Sequence, residues 1–279
     1  MRVEVQHVFK AFQHNGSSLE VLHDVSLTVE EGEFICFLGP SGCGKSTIVH
    51  LIAGLERPDA GHITVDGKPV SGPGPRRVVV FQDAALFPWL SVMGNVEFGL
   101  RIAGVPKTER RTQAMAYIKL VHLSKFVHAY PHQLSGGMKQ RVAIARALAM
   151  QPEILLLDEP FGALDAQTRA VMQEELLQIW QKTGQSILFV THNVREATGL
   201  ADRVYVISSR PGRIKRVYKI EVDRPRVVTD PGLVAIQRWI LDSLGEEIAR
   251  LMQDELGEAV PVPEAKSPLA PDRALGMHI

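Results

Sequence analysis

The chain opens with short stretches in which apolar and polar residues alternate, Val3 to Phe9, Val21 to Val29 and His62 to Val65, broken by turn signals at Asn15-Gly16, Glu31-Gly32 and Asp66-Gly67. Period-two alternation gives each strand one apolar face, which predicts an N-terminal antiparallel sheet. Four other runs are apolar throughout: Phe34 to Leu38, Val78 to Phe81, Ile154 to Leu157 and Ile187 to Val190. Strands of that kind are covered on both faces, as in a parallel sheet flanked by helices, so the expected class is α/β. Between Phe87 and Met150 the pattern changes. A segment marked by Pro and Gly gives way to Thr108 to Leu123 and Met138 to Ala149, both of helical length and composition, and residues 87–150 are expected to form a helical insert. After Arg226, Ile236, Ile240, Leu244, Ile248 and Leu251 recur every three or four residues and predict one apolar stripe on a helix. Pro261, Pro263, Pro268 and Pro271 then follow among small and polar residues, a composition unable to compensate the entropy of ordering. The expected division is a domain over 1–226, a helical extension over 227–258 and a disordered tail over 259–279. No internal repeat is visible.

Composition narrows the function. Of 279 residues 45% are hydrophobic, enough for a large core without disulfides. Lys+Arg and Asp+Glu both number 31, so no excess positive field attracts nucleic acid or anionic lipid, and a nucleic-acid partner is not expected. Cys36 and Cys43 are the two cysteines. They lie in a strand and a loop, which fits a reducing cytosol better than a disulfide framework. No apolar run approaches the roughly 18 residues of a membrane span, so attachment to a membrane would have to come through a protein partner.

Gly39-Pro40-Ser41-Gly42-Cys43-Gly44-Lys45-Ser46-Thr47 fits the phosphate-loop pattern G-x-x-x-x-G-K-[ST] and follows the buried run Phe34 to Leu38. Ile48, Leu51, Ile52 and Leu55 come next on one helical face. In such a loop, backbone N–H groups and a helix N-terminus cradle phosphates, Lys45 reaches the outer phosphates and Ser46 ligates Mg²⁺. A glycine-rich turn that binds nothing is the plainer reading; the full pattern with both flanking elements argues against it. The run Ile154 to Leu157 delivers Asp158 and Glu159 to a strand end, where nucleotides bind in open α/β sheets. Asp158 would sit beside Mg²⁺, and Glu159 would act as general base on the water attacking the γ-phosphorus. Acids also favour helix N-termini, and the pair taken alone leaves both readings open.

Leu134-Ser135-Gly136-Gly137-Met138-Lys139-Gln140-Arg141 is similar to the signature sequence of the ATP-binding-cassette ATPases. On its own it is a second anion cradle at a helix start. The resemblance, which covers Met1 to about Arg226, implies a P-loop NTPase core, ATP and Mg²⁺ as cofactors, and a homodimer in which Ser135, Gly136 and Gly137 close on the γ-phosphate held by the partner subunit. It further implies that Phe12 stacks on adenine, with Phe9 a near neighbour. Gln82 would touch Mg²⁺ and the attacking water, Asp165, in Gly162-Ala163-Leu164-Asp165, would communicate across the dimer, and His192 would contact the γ-phosphate. A lone histidine is usually structural; its place after a core strand favours the functional role. The sequence departs from many cassettes at Met138, where they carry glutamine.

Phe87-Pro88-Trp89-Leu90-Ser91-Val92 and Ser208-Ser209-Arg210-Pro211-Gly212-Arg213-Ile214 resemble the nitrate, sulfonate and taurine importers within that family. For each, an ordinary turn is the plainer alternative. The resemblance implies an ATPase subunit at the cytoplasmic face of the membrane, working with an integral membrane permease and, indirectly, an extracytoplasmic solute-binding protein. A soluble cassette ATPase shares the motifs, but only about ninety residues separate the two cradles and no sustained heptad appears, unlike the repair enzymes. No guanine-reading Asn-Lys-x-Asp element is present, which excludes an ordinary GTPase.

Overall fold

The computed structural model describes residues 1–256 other than 15, 163 and 228, with backbone alone for 14 and 251–256. The tail expected over 259–279 and the Leu251 side chain lie outside the described residues.

In chain order the elements are β1 (Val3–His14), β2 (Ser17–Val29), β3 (Phe34–Leu38), α1 (Lys45–Ala53), β4 (Ala60–Val65), β5 (Lys68–Pro69), β6 (Arg77–Val80), α2 (Val92–Ile102) and α3 (Lys107–Leu120). There follow α4 (Gly136–Ala149), β7 (Ile154–Asp158), α5 (Ala166–Thr183), β8 (Ser186–Thr191), α6 (Val194–Leu200), β9 (Arg203–Ile207), β10 (Ile214–Lys219) and α7 (Pro231–Leu256). The N-terminal strands form an antiparallel sheet ordered β2-β1-β4-β5. The central sheet is ordered β10-β9-β3-β8-β7-β6 and is parallel from β9 to β6, with β10 antiparallel at its edge.

Every residue of β3, β7 and β8 is buried, which is why these runs carry no polar alternation. Their side chains still alternate between faces. Ile35, Phe37, Ile154, Leu156, Leu188 and Val190 join α1 and the N-terminal sheet in one core. Phe34, Cys36, Leu155, Leu157, Ile187 and Phe189 join α4, α5, α6 and α7 in another. A third core lies within the insert, around Val96, Ile118, Leu123, Val142 and Ala145.

Four elements differ from the sequence pattern. The run Val78 to Phe81 is not covered on both faces, because β6 lies at the sheet edge with Arg77, Val78 and Val79 half-buried and Phe81 exposed beyond it. The β1 and β2 hairpin is longer than its alternating stretches, because residues 12–13 and 16–20 toward its end are solvent-exposed and need no apolar face. Helix α2 fills what reads as the glycine-marked start of the insert. Ser91 caps it by accepting a hydrogen bond from Gly94 N at 3.2 Å, and Gly99 is small because a Cβ there would lie 2.3 Å from Met150 Sδ. On α7 the apolar stripe does not stay on the contact face. Ile240 is fully buried, but Ile248 is 47% exposed, while Ser243 and Glu247 are buried instead. Four-residue steps advance the helix by about 40° more than a full turn, so Ile248 lies about 120° round from Ile236, whereas Glu247, a heptad after Ile240, lies within about 20° of it.

Candidate active site

The carboxyl ends of β3, β7 and β8 and the segment after β6 meet at the head of α1. The phosphate loop bends there through Gly42 (φ 75°) and Gly44 (φ 97°), left-handed conformations that favour glycine. At Gly44 a Cβ would also come within 2.5 Å of Leu22 Cδ2. Gly44 caps α1 without a side-chain acceptor, which leaves the first N–H groups of the helix available to an anion. Gly39, Cys43 and Lys45 are buried, Pro40 and Thr47 half-buried, and Ser41, Gly42 and Ser46 exposed. Lys45 Nζ donates to Gly39 O and Pro40 O, each at 2.8 Å, so the loop's own carbonyls hold the ammonium at its mouth. Burial raises the Cys43 thiol above its ordinary pKa, with Lys45 opposing; a buried, protonated thiol there is a packing group and not a nucleophile.

Asp158 ends β7 and is 8% exposed. Burial raises its carboxyl above the ordinary range, against the opposing effects of a hydrogen bond to Ser46 and the charges of His50 and Lys45. Glu159 takes a left-handed backbone (φ 44°) and donates its N–H to Val190 O at 3.1 Å. A non-glycine residue in that conformation is strained. Because β7 and β8 run parallel with Asp158 opposite Val190, Glu159 arrives beside His192, and Glu159 Oε2 lies 3.2 Å from His192 Nδ1. Gln82, exposed just beyond β6, reaches the same space: a Cβ on Gly162 would lie 3.7 Å from Glu159 Oε2 and 3.9 Å from Gln82 Nε2. A small cavity, ≈ 10 Å³, opens there between Glu159, Gly162, His192 and Asn193.

Residues behind the site hold it, and sequence reasoning did not find them. Thr191 Oγ1 donates to Glu196, Gln173 Nε2 donates to Glu196 at 2.8 Å, and Asn193 caps α6 by accepting from Arg195 N at 3.0 Å, which anchors the turn that carries His192. His50 lies near Asp158 with its Nε2 buried and, among the described residues, without a hydrogen-bond partner. Thr191, Asn193 and Glu196 act locally, and the Asn-x-x-Glu cap at the start of α6 is the signal that marks them, whereas Gln173 and His50 are recruited by tertiary position.

The remaining expected residues fall into two places. Phe12 is 38% exposed on β1 opposite Leu19, two residues before the Val21 that packs on Gly44, and the Lys10 ammonium sits 5.0 Å from its ring centroid. Phe9 is half-buried with its edge against His23. Ser135 is the N-cap of α4, accepting from Met138 N at 3.3 Å, with Gly136 exposed beside it. Asp165 caps α5, and hydrogen bonds from Thr168 and Gln167 hold its carboxyl below the ordinary range. Gly137 and Asp165 both approach Thr168, so these two segments are neighbours. Among the described residues no hydrogen bond joins them to the phosphate loop, and α4 packs on the opposite face of the sheet from α1. Lys45, Ser46, Asp158, Glu159, Gln82 and His192 form one cluster; Ser135, Gly136, Gly137 and Asp165 form another.

A protein-family model described as "ABC transporter" matches residues 22–162. An uncharacterised ABC transporter ATP-binding protein of Methanocaldococcus jannaschii is 50% identical over 253 residues, 91% of this chain and 95% of that protein. The nitrate import ATP-binding protein of Synechocystis is 51% identical over 80% of this chain and 84% of its own length. The taurine import ATP-binding protein of Yersinia pseudotuberculosis is 47% identical over 81% and 92%. Among solved structures, a dimeric ATP-binding cassette in a post-hydrolysis state bound to ADP and Pi superposes with a TM-score of 0.71 at 32% identity, covering 79% of this chain and 100% of that one.

Proposed function

The chain belongs to the ABC transporter family as an ATP-binding, ATP-hydrolysing subunit with a P-loop NTPase fold, and from that premise we propose that it powers import of a small solute such as nitrate, a sulfonate or taurine through a separate permease. The observation that carries the catalytic part is the 3.2 Å contact between Glu159 and His192, one residue beyond the buried Asp158 at the mouth of the phosphate loop.

Each side chain then has a task. The loop amides of residues 39–47 and Lys45 bind the phosphates, and Phe12 covers the adenine. Glu159 takes a proton from the attacking water, a role its partly exposed carboxylate suits, with 23% of the side chain accessible. His192 orients that carboxylate and reaches toward the γ-phosphate. Gln82 fixes the water from the other side. The Ser46 hydroxyl and the Asp158 carboxylate, hydrogen-bonded to one another, form a hard oxygen donor set that fits Mg²⁺, with the Gln82 carboxamide in reach. When bound, the ion neutralises charge on the outer phosphates.

A second copy completes the site, because the Ser135 cluster is exposed and separate from the chain's own phosphate loop. The dimeric relative supports that arrangement. Among the described residues no helix is long and apolar enough to cross a membrane. We assign the permease to the insert face bearing Trp89 and Ile102, 70% and 73% exposed. A solute-binding protein outside the membrane and a position at the cytoplasmic face follow from the same reading.

The test is complementation. Cells lacking the chain should lose uptake of labelled nitrate, taurine or a related sulfonate and regain it with the wild-type chain but not with Glu159→Gln. Uptake of all three that is indifferent to the chain would refute the importer assignment, and hydrolysis intact in Glu159→Gln would refute the catalytic one.

A further inference from the structure

The segment Ser208 to Ile214 is tied to the phosphate loop from outside. Arg210 Nε and Nη2 both donate to Gly42 O, at 3.3 and 3.1 Å. A trans peptide points its carbonyl and its N–H in opposite directions, so holding Gly42 O outward turns the N–H of Cys43 back into the loop, where it donates to Pro40 O at 3.4 Å and fixes the loop's curl. Gly212 presses on the next peptide, where a Cβ would stand 2.1 Å from Cys43 O. This contact does not slide away, because Gly212 N donates to Val21 O at 2.8 Å and its carbonyl accepts from His23 N at 3.0 Å.

The same segment is held from behind by the C-terminal helix. Glu247 of α7 is fully buried, yet its carboxylate is satisfied: Ser209 N at 2.8 Å, Ser209 Oγ at 3.0 Å and Lys215 Nζ at 2.7 Å all donate to it. Buried carboxylates persist only with such partners, and here the partners are the residue before Arg210, a lysine of β10 and, at 3.4 Å, Arg250 of α7 itself. One line of contacts therefore runs from Glu247 through Ser209 and Arg210 to the backbone that sets the curl of the phosphate loop.

We propose that Arg210 is a positioning residue for ATP, that Glu247 sets it in place, and that α7 thereby tunes nucleotide affinity without touching the nucleotide. The inference rests on the phosphate loop being the nucleotide site. A surface cavity of ≈ 340 Å³ opens beside Ser209, Arg210, Arg213 and Lys215, so shortening Arg210 leaves no sealed void and its effect need not be one of folding.

The experiment uses the full-length chain, with MgATP affinity read by competition against a fluorescent ATP analogue and melting temperature read without nucleotide. Arg210→Ala should raise the dissociation constant roughly tenfold, the effect of one lost charge-assisted hydrogen bond, and leave the melting temperature nearly unchanged. Arg210→Lys should recover part of the affinity and Arg210→Gln less. That ranking carries the comparison even where the alanine variant folds poorly. Glu247→Gln should weaken binding in the wild-type background and add nothing in the Arg210→Ala background. An Arg210→Ala dissociation constant within twofold of wild type, or a Glu247→Gln effect that persists undiminished beside Arg210→Ala, overturns the proposal. Lys45→Ala is the control: a wild-type chain that binds ATP no better than Lys45→Ala refutes the nucleotide site itself, a distinct result.

Discussion

Helices α1 and α4 both begin with glycine-rich segments that can present backbone N–H groups to an anion, yet the two are built differently. At α1 the cap is Gly44, without a side-chain acceptor, the approach is buried, and Lys45 is folded into the loop's mouth. At α4 the cap is Ser135, whose hydroxyl already accepts from Met138 N, and Ser135 and Gly136 lie open to solvent. Gly44 is required by its φ of 97° and by Leu22 pressed against it, whereas nothing stands within 4 Å of a Cβ on Gly136. The first cradle is over-determined by its own chain. The second lies open to solvent, as the proposed dimer requires of a surface that meets another molecule.

The largest expected difference lies in chemistry. Glu159→Gln keeps shape and hydrogen bonding but removes the base, so turnover should fall by roughly 10² to 10⁴ while ATP still binds. Single-turnover hydrolysis against equilibrium binding measures the two separately. The glycines sharpen the contrast. Gly44→Ala should lose ATP binding outright, because a left-handed alanine costs about 1–2 kcal/mol before the collision with Leu22 is counted. Gly136→Ala should leave folding and ATP binding by the single chain intact, and lower hydrolysis by the dimer. Equal loss of binding in both variants would remove the distinction.

How much of this the sequence shows depends on whether a feature is local. The runs that became β3, β7 and β8 are legible because burial on both faces leaves them without polar interruptions. The phosphate loop is legible because its chemistry is contiguous. Helix α2 is not, since Gly94 and Gly99 weaken its pattern and the reason for Gly99 is Met150, a distant residue. The strained φ of Glu159 has no sequence signal. Nor does the partnership of Arg210 with Gly42, 168 residues apart. On α7 the regular spacing of isoleucines and leucines marks the helix but not its buried line, which the helical drift hands to Ser243 and Glu247.

A moderate effect tests whether the second cradle serves a partner. In the proposed dimer, Ser135→Arg and Lys45→Ala homodimers should each be defective at both shared sites. A mixed dimer gathers both defects at one site and leaves the other with intact residues, by the symmetry of a two-fold assembly. Mixing the two inactive variants should restore part of the wild-type hydrolysis in steady-state assays. No recovery, with mixed dimers demonstrated by differential tagging, would break the comparison by showing that the two cradles do not complement in trans.

The smallest expected effect is one of acidity, and it separates the cradles because α7 braces only the first. Burial acts to raise the pKa of Glu247, but the hydrogen bonds from Lys215 and Ser209 outweigh it and hold the carboxyl below its ordinary range. A carboxylate whose folded pKa is depressed contributes stability that is present above its unfolded value and is lost as pH falls through the folded one. The melting temperature of the wild-type chain should therefore exceed that of Glu247→Gln by a nearly constant few degrees from neutral pH down to about pH 5, and the gap should close below that. ATP affinity should follow the same course, since loss of the Glu247 charge frees Ser209 and with it the support of Arg210 on Gly42. A gap that widens in acid would mean that Glu247 is held protonated by its burial, and the brace would then lack the charge on which it depends.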